Sequence, residues 1–253
     1  METKEMKMNI LEKFGNANDM KSIEFCREAF RFVNEQPEGS DVKKVHVTTE
    51  EDADCPDTPQ VVDLGLPSGT LWCDRNVGAA SPWDAGAFFS WGNTEPHLPM
   101  AQICDWGNAE NAFAKPFNFD TYNKSAGSKV NSDLDLEHDA AHVCMGGNWK
   151  MPSDEQFQEL CDNCTFVRKT MHGVNGYMFT SDINGNSIFF ACSGYGAGTS
   201  WDNRGSGGHV WSSSFHSARN ARNLYFHSGG VYPQNYSNRY YGFAVRPVQN
   251  KAQ

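Results

Sequence analysis

The apolar residues of the first 36 positions follow a helical repeat. Four of them recur at heptad spacing, namely Ile23, Cys26, Phe30 and Val33. This seam predicts a helix that Asn18 or Asp19 caps and that runs to about Glu35. An isolated helix of this length is only marginally stable, so the seam either packs on the chain's own domain or mediates self-association or docking to a larger assembly. We therefore expect residues 1–36 to form a helical segment.

The polarity of the chain changes twice before residue 61. Residues 37–60 are mostly polar and acidic and contain Pro37, Pro56 and Pro59, which predicts a linker or an extended strap. From Val61 onward, short apolar runs alternate with glycine, proline and asparagine, as in a domain of short strands. We therefore expect a folded domain over residues 61–253.

Turn residues place several strands in this domain. The sequence VVDLGLPSGTLWC predicts two short strands separated by a turn at Pro67-Ser68-Gly69. Residues 177–180 and 187–191 predict the two strands of a hairpin, with Asn184-Gly185 in its turn. These signals favour antiparallel pairing between strands that are close in sequence.

Two helices are also expected in the domain. Ser153 and Gln156 have the spacing of a capping box, which predicts a helix over the sequence SDEQFQELCDNC. One buried face of this helix would carry Phe157, Leu160, Cys161 and Cys164. A second helix is predicted over residues 134–144, ending at Gly146-Gly147. The expected fold class is therefore α+β, with two or three helices and many short antiparallel strands.

Composition limits the classes of function. Of the 253 residues, 39% are hydrophobic and 21% are charged, which is typical of a globular protein with a core. The net charge of −10 disfavours binding to nucleic acids and to anionic membranes. No apolar run is long enough for a membrane span, and the N-terminus lacks the apolar stretch of a signal peptide. We therefore expect no nucleic-acid partner and no membrane span.

The last fifth of the chain differs from the rest. No Asp or Glu follows Asp202, whereas this region carries six positive residues, Arg204, Arg219, Arg222, Arg239, Arg246 and Lys251. Five of the eight tyrosines lie between Tyr225 and Tyr241. A region rich in Tyr, Ser, Gly, Asn and Arg has the composition of an antibody-like contact surface. This composition favours a binding protein over an enzyme.

Separated blocks of the sequence resemble a known group of proteins. The chain is similar to the C-type-lectin-fold domains of gut Bacteroidetes and their phages, which are related to the Fibrobacter major paralogous domain, in the segments VDLGLPSGTLWCDRNVGA, FFSWGNTEP, GGNWKMPSDEQFQEL, NGNSIFF, VWSSS and GFAVRPV. This similarity covers about residues 61–248. Over about residues 204–248, the ordered blocks WSSS, NARNL, PQN, NR and GF.VRPV resemble the variable region of diversity-generating-retroelement variable proteins.

The resemblance implies a C-type lectin-like fold and a surface that a retroelement diversifies. In such proteins a reverse transcriptase copies a template and mutates its adenines, so that an AAC codon becomes any NNC codon. The implied variable region spans about residues 194–248. Its expected ligand-binding positions are Gly208, His209, Phe215, His216, Ala218, Arg219, Tyr225, His227, Gly229, Gly230, Tyr232, Tyr236, Ser237, Tyr240 and Tyr241. None of these residues is Lys, Glu, Gln, Met or Trp, which an NNC codon does not encode.

The resemblance also implies a fixed frame and a kind of partner. The expected frame residues are Trp211, Asn220, Asn223, Phe226, Asn235, Arg239 and Arg246. The implied ligand is a host-cell surface protein or glycan, and the implied location is a phage tail or another surface that the protein reaches by assembly. Residues 1–36 would then support homo-oligomerisation or docking to a virion or surface assembly. Because no signal peptide is expected, a cytoplasmic location stays open.

Several catalytic and metal chemistries are disfavoured. The fold resembles that of formylglycine-generating enzymes, whose oxidation chemistry uses cysteines late in the chain, but no cysteine follows Cys192. Ser212–Ser214 lie near His209 and His216 in sequence, but no acidic residue follows to orient a base, and a GxSxG elbow is missing. We therefore expect a hydrogen-bonding role for these serines and no enzymatic activity.

Metal ligands are also missing from the sequence pattern. Glu95-Pro96 is followed by His97, so the calcium-dependent sugar motif is incomplete. Cys161 and Cys164 form a lone CxxC without a second ligand pair. We expect no metal and no cofactor. The alternative interpretation is a non-diversified, carbohydrate-binding or enzyme-like relative of the same fold.

Overall fold

Short strands account for most of the regular structure in the computed structural model, which describes residues 58–99, 113 and 115–251. The strands are β1 (Val61–Asp63), β2 (Thr70–Cys73), β3 (Phe88–Phe89), β4 (Cys164–Met171), β5 (Val174–Ser181), β6 (Ser187–Ala191), β7 (Tyr195–Ala197), β8 (Ser200–Asp202), β9 (Gly207–Phe215), β10 (Asn220–His227), β11 (Gly230–Asn238), β12 (Phe243–Ala244) and β13 (Val248–Asn250). The α-helices are α1 (Phe119–Tyr122), α2 (Ala140–Met145) and α3 (Asp154–Asp162). This confirms the α+β class, while the specific C-type lectin-like fold stays a prediction.

The strands pair into four small sheets. The largest has the order β11-β10-β9-β12-β3, in which β12 runs parallel to β9 and the other neighbours are antiparallel. Strands β4, β5 and β6 form a second sheet, β1, β2 and β13 a third, and β7 pairs with β8. The expected helix in residues 1–36 and the expected strap, apart from residues 58–60, lie outside the described residues. Among the described residues, no helix is both long and apolar enough to cross a membrane.

The local predictions for turns and caps are confirmed. Strands β1 and β2 flank the turn at residues 67–69, and β5 pairs with β6 around a turn in which Gly185 has φ +79°. Only glycine adopts this left-handed conformation at little energetic cost. In α3, the Ser153 hydroxyl accepts from the N–H of Gln156 at 3.2 Å, and the Gln156 side chain accepts from the N–H of Ser153 at 2.9 Å. The capping box therefore begins α3 as expected.

Two helix boundaries differ from the prediction. Helix α2 begins at residue 140 and not at 134, because the Asp139 carboxylate accepts from the N–H of His142 and so acts as the N-cap. Helix α3 ends at Asp162, so Cys164 does not continue its apolar face but begins strand β4. Residues Phe157 and Leu160 of that face are fully buried, as expected.

The main core lies between α3, the β4-β5-β6 sheet and one face of the largest sheet. Its large buried side chains are Trp72, Phe157, Leu160, Phe179, Phe190, Leu224 and Phe226. Burying such side chains stabilises the fold by roughly 1.5–3 kcal/mol each. Leu224 and Phe226 anchor strand β10 in this core. The side chains on the opposite side of β10 are therefore held in defined positions.

Two buried arginines tie the end of the chain to distant segments. Arg246 donates to Asn76 Oδ1 at 2.9 Å and to the carbonyl oxygens of Cys73, Asp74 and Phe189 at 3.1, 2.9 and 2.8 Å. Burial lowers the pKa of Arg246 to about 10, so its guanidinium stays protonated at neutral pH.

Arg239 has a similar role in the turn that follows β11. Its guanidinium donates to the Tyr122 hydroxyl at 2.9 Å and to the carbonyl oxygen of Val130 at 2.9 Å, and it lies 4.5 Å from the centroid of the Trp91 ring. Both arginines are therefore structural. Removing either of them would leave several buried acceptors without a donor, which is costly.

Candidate functional site

Strand β10 separates the core from a second, outer face of the largest sheet. Leu224 and Phe226 are fully buried in the main core, whereas Tyr225 and His227 are half-buried on the opposite side. Alternation of side chains along a strand produces this separation. The outer face carries several of the sequence-predicted ligand-binding residues.

Aromatic rings from three strands contact one another on this outer face. His209 of β9 stacks on Tyr225 of β10, with ring centroids 4.3 Å apart and an interplanar angle of 14°. Tyr225 in turn lies 5.8 Å from Tyr232 of β11, and His227 lies 5.5 Å from Tyr232. The register of the sheet causes these contacts, because Tyr225 is paired with His209 on one side and with Tyr232 on the other.

The series of rings continues across the sheet in the other direction. Tyr195 of β7 lies 5.2 Å from His209 and 5.4 Å from Tyr241. Tyr241 contacts Tyr240 at 4.8 Å, and Tyr240 contacts Phe119 of α1 at 6.3 Å. These spacings lie within the range for favourable aromatic pairs. We refer to the connected rings as the aromatic patch: Phe119, Tyr195, His209, Tyr225, His227, Tyr232, Tyr240 and Tyr241.

Fully buried aromatic residues support the patch from below. Phe243 lies 4.5 Å from His209 and stacks on Trp211 at 4.0 Å. The indole N–H of Trp211 donates to the carbonyl oxygen of Phe89 at 2.8 Å. Because Trp211 and Phe243 have almost no exposed surface, the rings above them rest on a close-packed base.

His209, at the centre of the patch, is uncharged at neutral pH. Burial lowers the pKa of His209 to about 4; the nearby His227 adds to this effect, and the Asn223 side chain opposes it. Burial likewise raises the pKa of Tyr195 and of Tyr225 above the usual value. These groups are therefore neutral at pH 7, and the patch offers flat rings with hydroxyl groups for contact.

A β-bulge divides the predicted tyrosines between the two faces of the sheet. Asn223 is paired with Asn235, and Tyr225 with Tyr232, so β11 has one more residue than β10 over this step. An extra residue reverses the alternation of side chains. Tyr236 is therefore opposite Arg222, on the α3 side of the sheet, where Arg222 lies 3.6 Å from Asp154. There Tyr236 stacks on His216 at 4.3 Å, apart from the aromatic patch.

Most of the other predicted positions are accessible. Ala218, Arg219 and Gly229 are exposed in turns, and Phe215 and Ser237 are half-buried on either side of the buried Ala221. Gly230 is half-buried, but its φ of +149° is unfavourable for any residue with a side chain. Substitution at this position would therefore strain the turn between β10 and β11.

Two predicted surface positions are buried. His209 is 8% exposed, and it belongs to the patch as the ring beneath Tyr225. Gly208 does not fit a variable surface position, because a methyl group there would overlap the Phe226 ring and lie 2.9 Å from the carbonyl oxygen of Ala191. The prediction that Gly208 lies at the surface is therefore wrong.

Tyr240 and Tyr241, two further predicted ligand-binding positions, lie in the turn between β11 and β12. Both rings are half-buried and both belong to the patch. Sequence reasoning missed Tyr195 and Phe119. Tyr195 lies within the expected variable region, whereas nothing in the local sequence around Phe119 indicates its contact with Tyr240.

The expected frame residues are mostly buried. Trp211, Asn223, Phe226, Arg239 and Arg246 have at most 1% of their surface exposed. Asn235 and Asn220 are half-buried, and the Asn235 side-chain amide donates to Asn223 Oδ1 at 3.2 Å. This bond links β10 to β11 next to the bulge. With Arg239 and Arg246 buried and Arg222 beside Asp154, the positive residues between 204 and 251 do not form one continuous basic surface.

The three consecutive serines take part in structural hydrogen bonds. Ser212 donates to the carbonyl oxygen of Arg222 at 3.0 Å, and Ser213 donates to that of Pro152 at 3.3 Å. Ser214 accepts from the N–H of Asp154 at 3.0 Å. Burial raises the pKa of Cys161 to about 12 and that of Cys164 to about 11, so both thiols stay protonated. Within the described residues, no group of three or more His, Cys, Asp or Glu side chains could hold a metal ion.

Comparisons with protein-family models, curated proteins and solved structures find no match to this chain. The functional interpretation therefore depends on the geometry of the site and on the sequence resemblance described above.

Proposed function

We propose that this protein is a ligand-binding display protein and that the aromatic patch is its contact surface. One observation carries the proposal: the eight rings of the patch form an unbroken series of contacts, and His209 in that series rests on the fully buried Phe243. Tyrosine-rich surfaces of this kind provide large, rigid contact area with little loss of conformational entropy on binding. The chain is proposed to act without enzymatic chemistry.

The proposed surface suits diversification because contact and support reside in different side chains. Tyr225 of β10 and Tyr232 of β11 contact each other in the patch, whereas Leu224 and Phe226 of β10 and Val231 of β11 pack on the core. Substitution of an exposed side chain usually changes stability by less than about 0.5 kcal/mol. A retroelement of the kind that the sequence resemblance implies could therefore vary the contacts without unfolding the domain.

The proposed setting follows from the resemblance. The protein would act on a phage tail or a cell surface, with a C-type lectin-like fold, and would bind a protein or glycan on a host cell. Residues 1–36 would attach it to the assembly or to further copies. The alternative, a non-diversified relative of the same fold, predicts the same architecture but a different gene context.

The gene itself provides the test of diversification. We expect a reverse-transcriptase gene nearby and a template repeat that differs from this gene only at adenines, in codons for patch residues such as Tyr225, Tyr232 and Tyr240. The codon for Gly208 should not vary among natural copies, because only glycine fits beside Phe226. Absence of such a template, with patch codons constant among copies, would decide for the alternative.

A further inference from the structure

Strand β4 is a long edge strand of the β4-β5-β6 sheet. Its eight residues pair with β5 without a register shift, and in the described part of the chain no strand pairs with its other side. Residues 165–170 are all exposed, whereas nearly all of β5 and β6 is buried or half-buried. The free side of such a strand presents a row of main-chain N–H and C=O groups with which a further strand can pair.

Strand β11, an edge strand of the largest sheet, differs from β4 in this respect. Its Pro233 has no main-chain N–H, and its bulge interrupts the regular pairing. Both features protect an edge against a further strand. Strand β4, with the sequence CTFVRKTM, contains neither a proline nor a bulge. The edge at β4 is therefore open to a further strand, whereas the edge at β11 is not.

Large apolar side chains of β4 are exposed on both faces of its sheet. Phe166 is 38% exposed, and its ring lies 5.4 Å from the ring of the buried Phe179 on β5. Val167 is on the opposite face because side chains alternate along a strand. It is 53% exposed and is paired with the half-buried Met178. A further strand with apolar side chains at matching positions would cover both residues.

The charges of β4 define how a second copy of the same strand could pair with it. In one antiparallel sheet, opposite residues lie on the same face, so the two-fold axis that relates the two copies passes through one position of the strand. An axis at Arg168 or Lys169 would place like charges directly opposite each other, which is unfavourable. An axis at Phe166 would pair only residues 164–168. An axis at Val167 pairs residues 164–170 and places no charged residue opposite another.

The axis at Val167 also brings complementary groups together. Arg168 is then opposite Phe166 of the other copy, and a cation beside an aromatic ring is favourable. Lys169 is opposite Thr165 of the other copy, whose hydroxyl donates to Asp182 Oδ1 at 2.8 Å. A carboxylate therefore lies near the ammonium group on each side of the axis. Strand β4 is thus complementary to itself in this register.

We propose that two copies of this chain pair through β4, antiparallel and about a two-fold axis at Val167, to form one continuous sheet. No residue of the aromatic patch belongs to β4, β5 or β6, so the pairing uses a different surface and one dimer carries two patches. Two linked contact surfaces bind a multivalent target more tightly than one. The inference goes beyond the proposed function and does not depend on what the patch binds.

The test follows the self-association of the full chain by sedimentation velocity over a range of protein concentrations. We expect a reversible association with a dissociation constant on the order of 10–100 μM, because one pair of strands is a small interface. Hydrogen exchange provides a measurement that needs no substitution. Main-chain amides of residues 164–170 should exchange more slowly as the protein concentration rises, since pairing adds hydrogen bonds there. Residues 1–36 are present in every sample, so association through them is common to all.

Charged substitutions at the axis isolate the proposed interface. Val167→Lys places two like charges opposite each other and should weaken the association at least about tenfold. Val167→Glu should do the same for the same reason. An equimolar mixture of the two variants should associate about as tightly as the unmodified chain, because opposite charges then meet across the axis. Leu136→Lys is the matched control: Leu136 is 54% exposed, outside the β4-β5-β6 sheet, and its substitution should leave the association unchanged.

Four outcomes would overturn the inference. If the unmodified chain and Val167→Lys sediment alike at every concentration, β4 does not mediate association. If Leu136→Lys loses as much association as Val167→Lys, the effect is one of net charge. If the mixture of the lysine and glutamate variants stays dissociated, the two positions do not meet at an axis. If the exchange of amides 164–170 is independent of concentration, the edge of β4 stays unpaired.

Discussion

The two faces of strand β10 differ in what they contribute. On one face, Leu224 and Phe226 have no exposed surface and join the main core. On the other face, Tyr225 and His227 are half-buried and contact other aromatic rings of the patch. Adjacent residues of β10 thus have different roles: Leu224 and Phe226 stabilise the fold, and Tyr225 and His227 belong to the proposed contact surface. The difference suggests that a sheet can keep its fold while one of its faces changes.

The outer face is itself divided into a buried and an accessible region. Asn223 and Trp211 are paired across β10 and β9 and are fully buried, whereas Tyr225 and His209, two pairs further along, belong to the patch. The two pairs are close neighbours on the same face, but the first pair belongs to the buried base and the second to the aromatic patch. Substitutions on either side of it should therefore have very different effects on the free energy of unfolding.

The largest effect is expected for Trp211→Ala. The change removes a fully buried ring that stacks on Phe243 and donates to the carbonyl oxygen of Phe89. We expect the free energy of unfolding to fall by about 3–5 kcal/mol, measured by urea denaturation. Trp211→Phe should lose less, because some of the ring packing remains. A loss below about 1 kcal/mol for the alanine variant would mean that this base does not support the sheet.

Gly208→Ala should have the next largest effect. The added methyl group would overlap the Phe226 ring and approach the carbonyl oxygen of Ala191, so the core must shift, at a cost of about 1–3 kcal/mol. Gly229→Ala is the matched control, since its methyl group would meet only the end of the His227 side chain, which can move. Equal stability of the two variants would show that Gly208 tolerates variation after all.

Acidic pH should test the buried centre of the patch. The pKa of His209 is about 4 in the folded protein against an ordinary value of 6.5. As the pH falls below 6.5, the unfolded chain takes up this proton first, so stability present above pH 6.5 is lost progressively towards pH 4. For His209 the expected loss at pH 5.5 is on the order of 1 kcal/mol relative to pH 7.5.

His209→Phe provides the comparison for this pH effect. It keeps a ring against Tyr225 but removes the titration, so the loss between pH 7.5 and 5.5 should shrink by that amount. His97 has a similarly lowered pKa of about 4, so some pH dependence should remain. An unchanged pH dependence in His209→Phe would place the proton uptake on other groups.

Local sequence signals predicted the elements of the fold that depend on neighbouring residues. The capping box of Ser153 and Gln156 and the turn at Asn184-Gly185 were predicted correctly, because their hydrogen bonds and backbone angles lie within a few residues. The composition of residues 194–248 indicated an aromatic surface. Phe119 was missed, since its contact with Tyr240 joins segments about 120 residues apart and leaves no local pattern.

The division of the tyrosines between two faces could not be predicted for a related reason. Period-2 alternation would place Tyr232 and Tyr236 on the same face. A single extra residue in β11 reverses the alternation, and its position depends on the pairing with β10. Similarly, Gly208 has no side chain in the sequence to signal burial, and only the packed Phe226 ring shows that the position is closed.

The smallest effects on stability, and the sharpest test of the two faces, are expected for Tyr232→Ala and Tyr236→Ala. Their side chains are 44% and 53% exposed, so each change should alter the free energy of unfolding by less than about 0.5 kcal/mol. Binding to host-cell envelope fractions should nevertheless separate them. Tyr232→Ala removes a ring of the patch and should weaken binding by about 2 kcal/mol, roughly 30-fold. Tyr236→Ala, on the α3 side, should leave binding unchanged.

The contrary results for this pair are informative in different ways. A fall in melting temperature of more than about 10 °C in Tyr232→Ala would mean that the ring supports the fold, because roughly 1 kcal/mol shifts the melting temperature by only a few degrees in a domain of this size. Equal losses of binding in the two variants would mean that the ligand reaches both faces. Since β11 is the edge strand of its sheet, such a ligand would have to wrap around that edge, and the contact surface would then extend from the aromatic patch to His216.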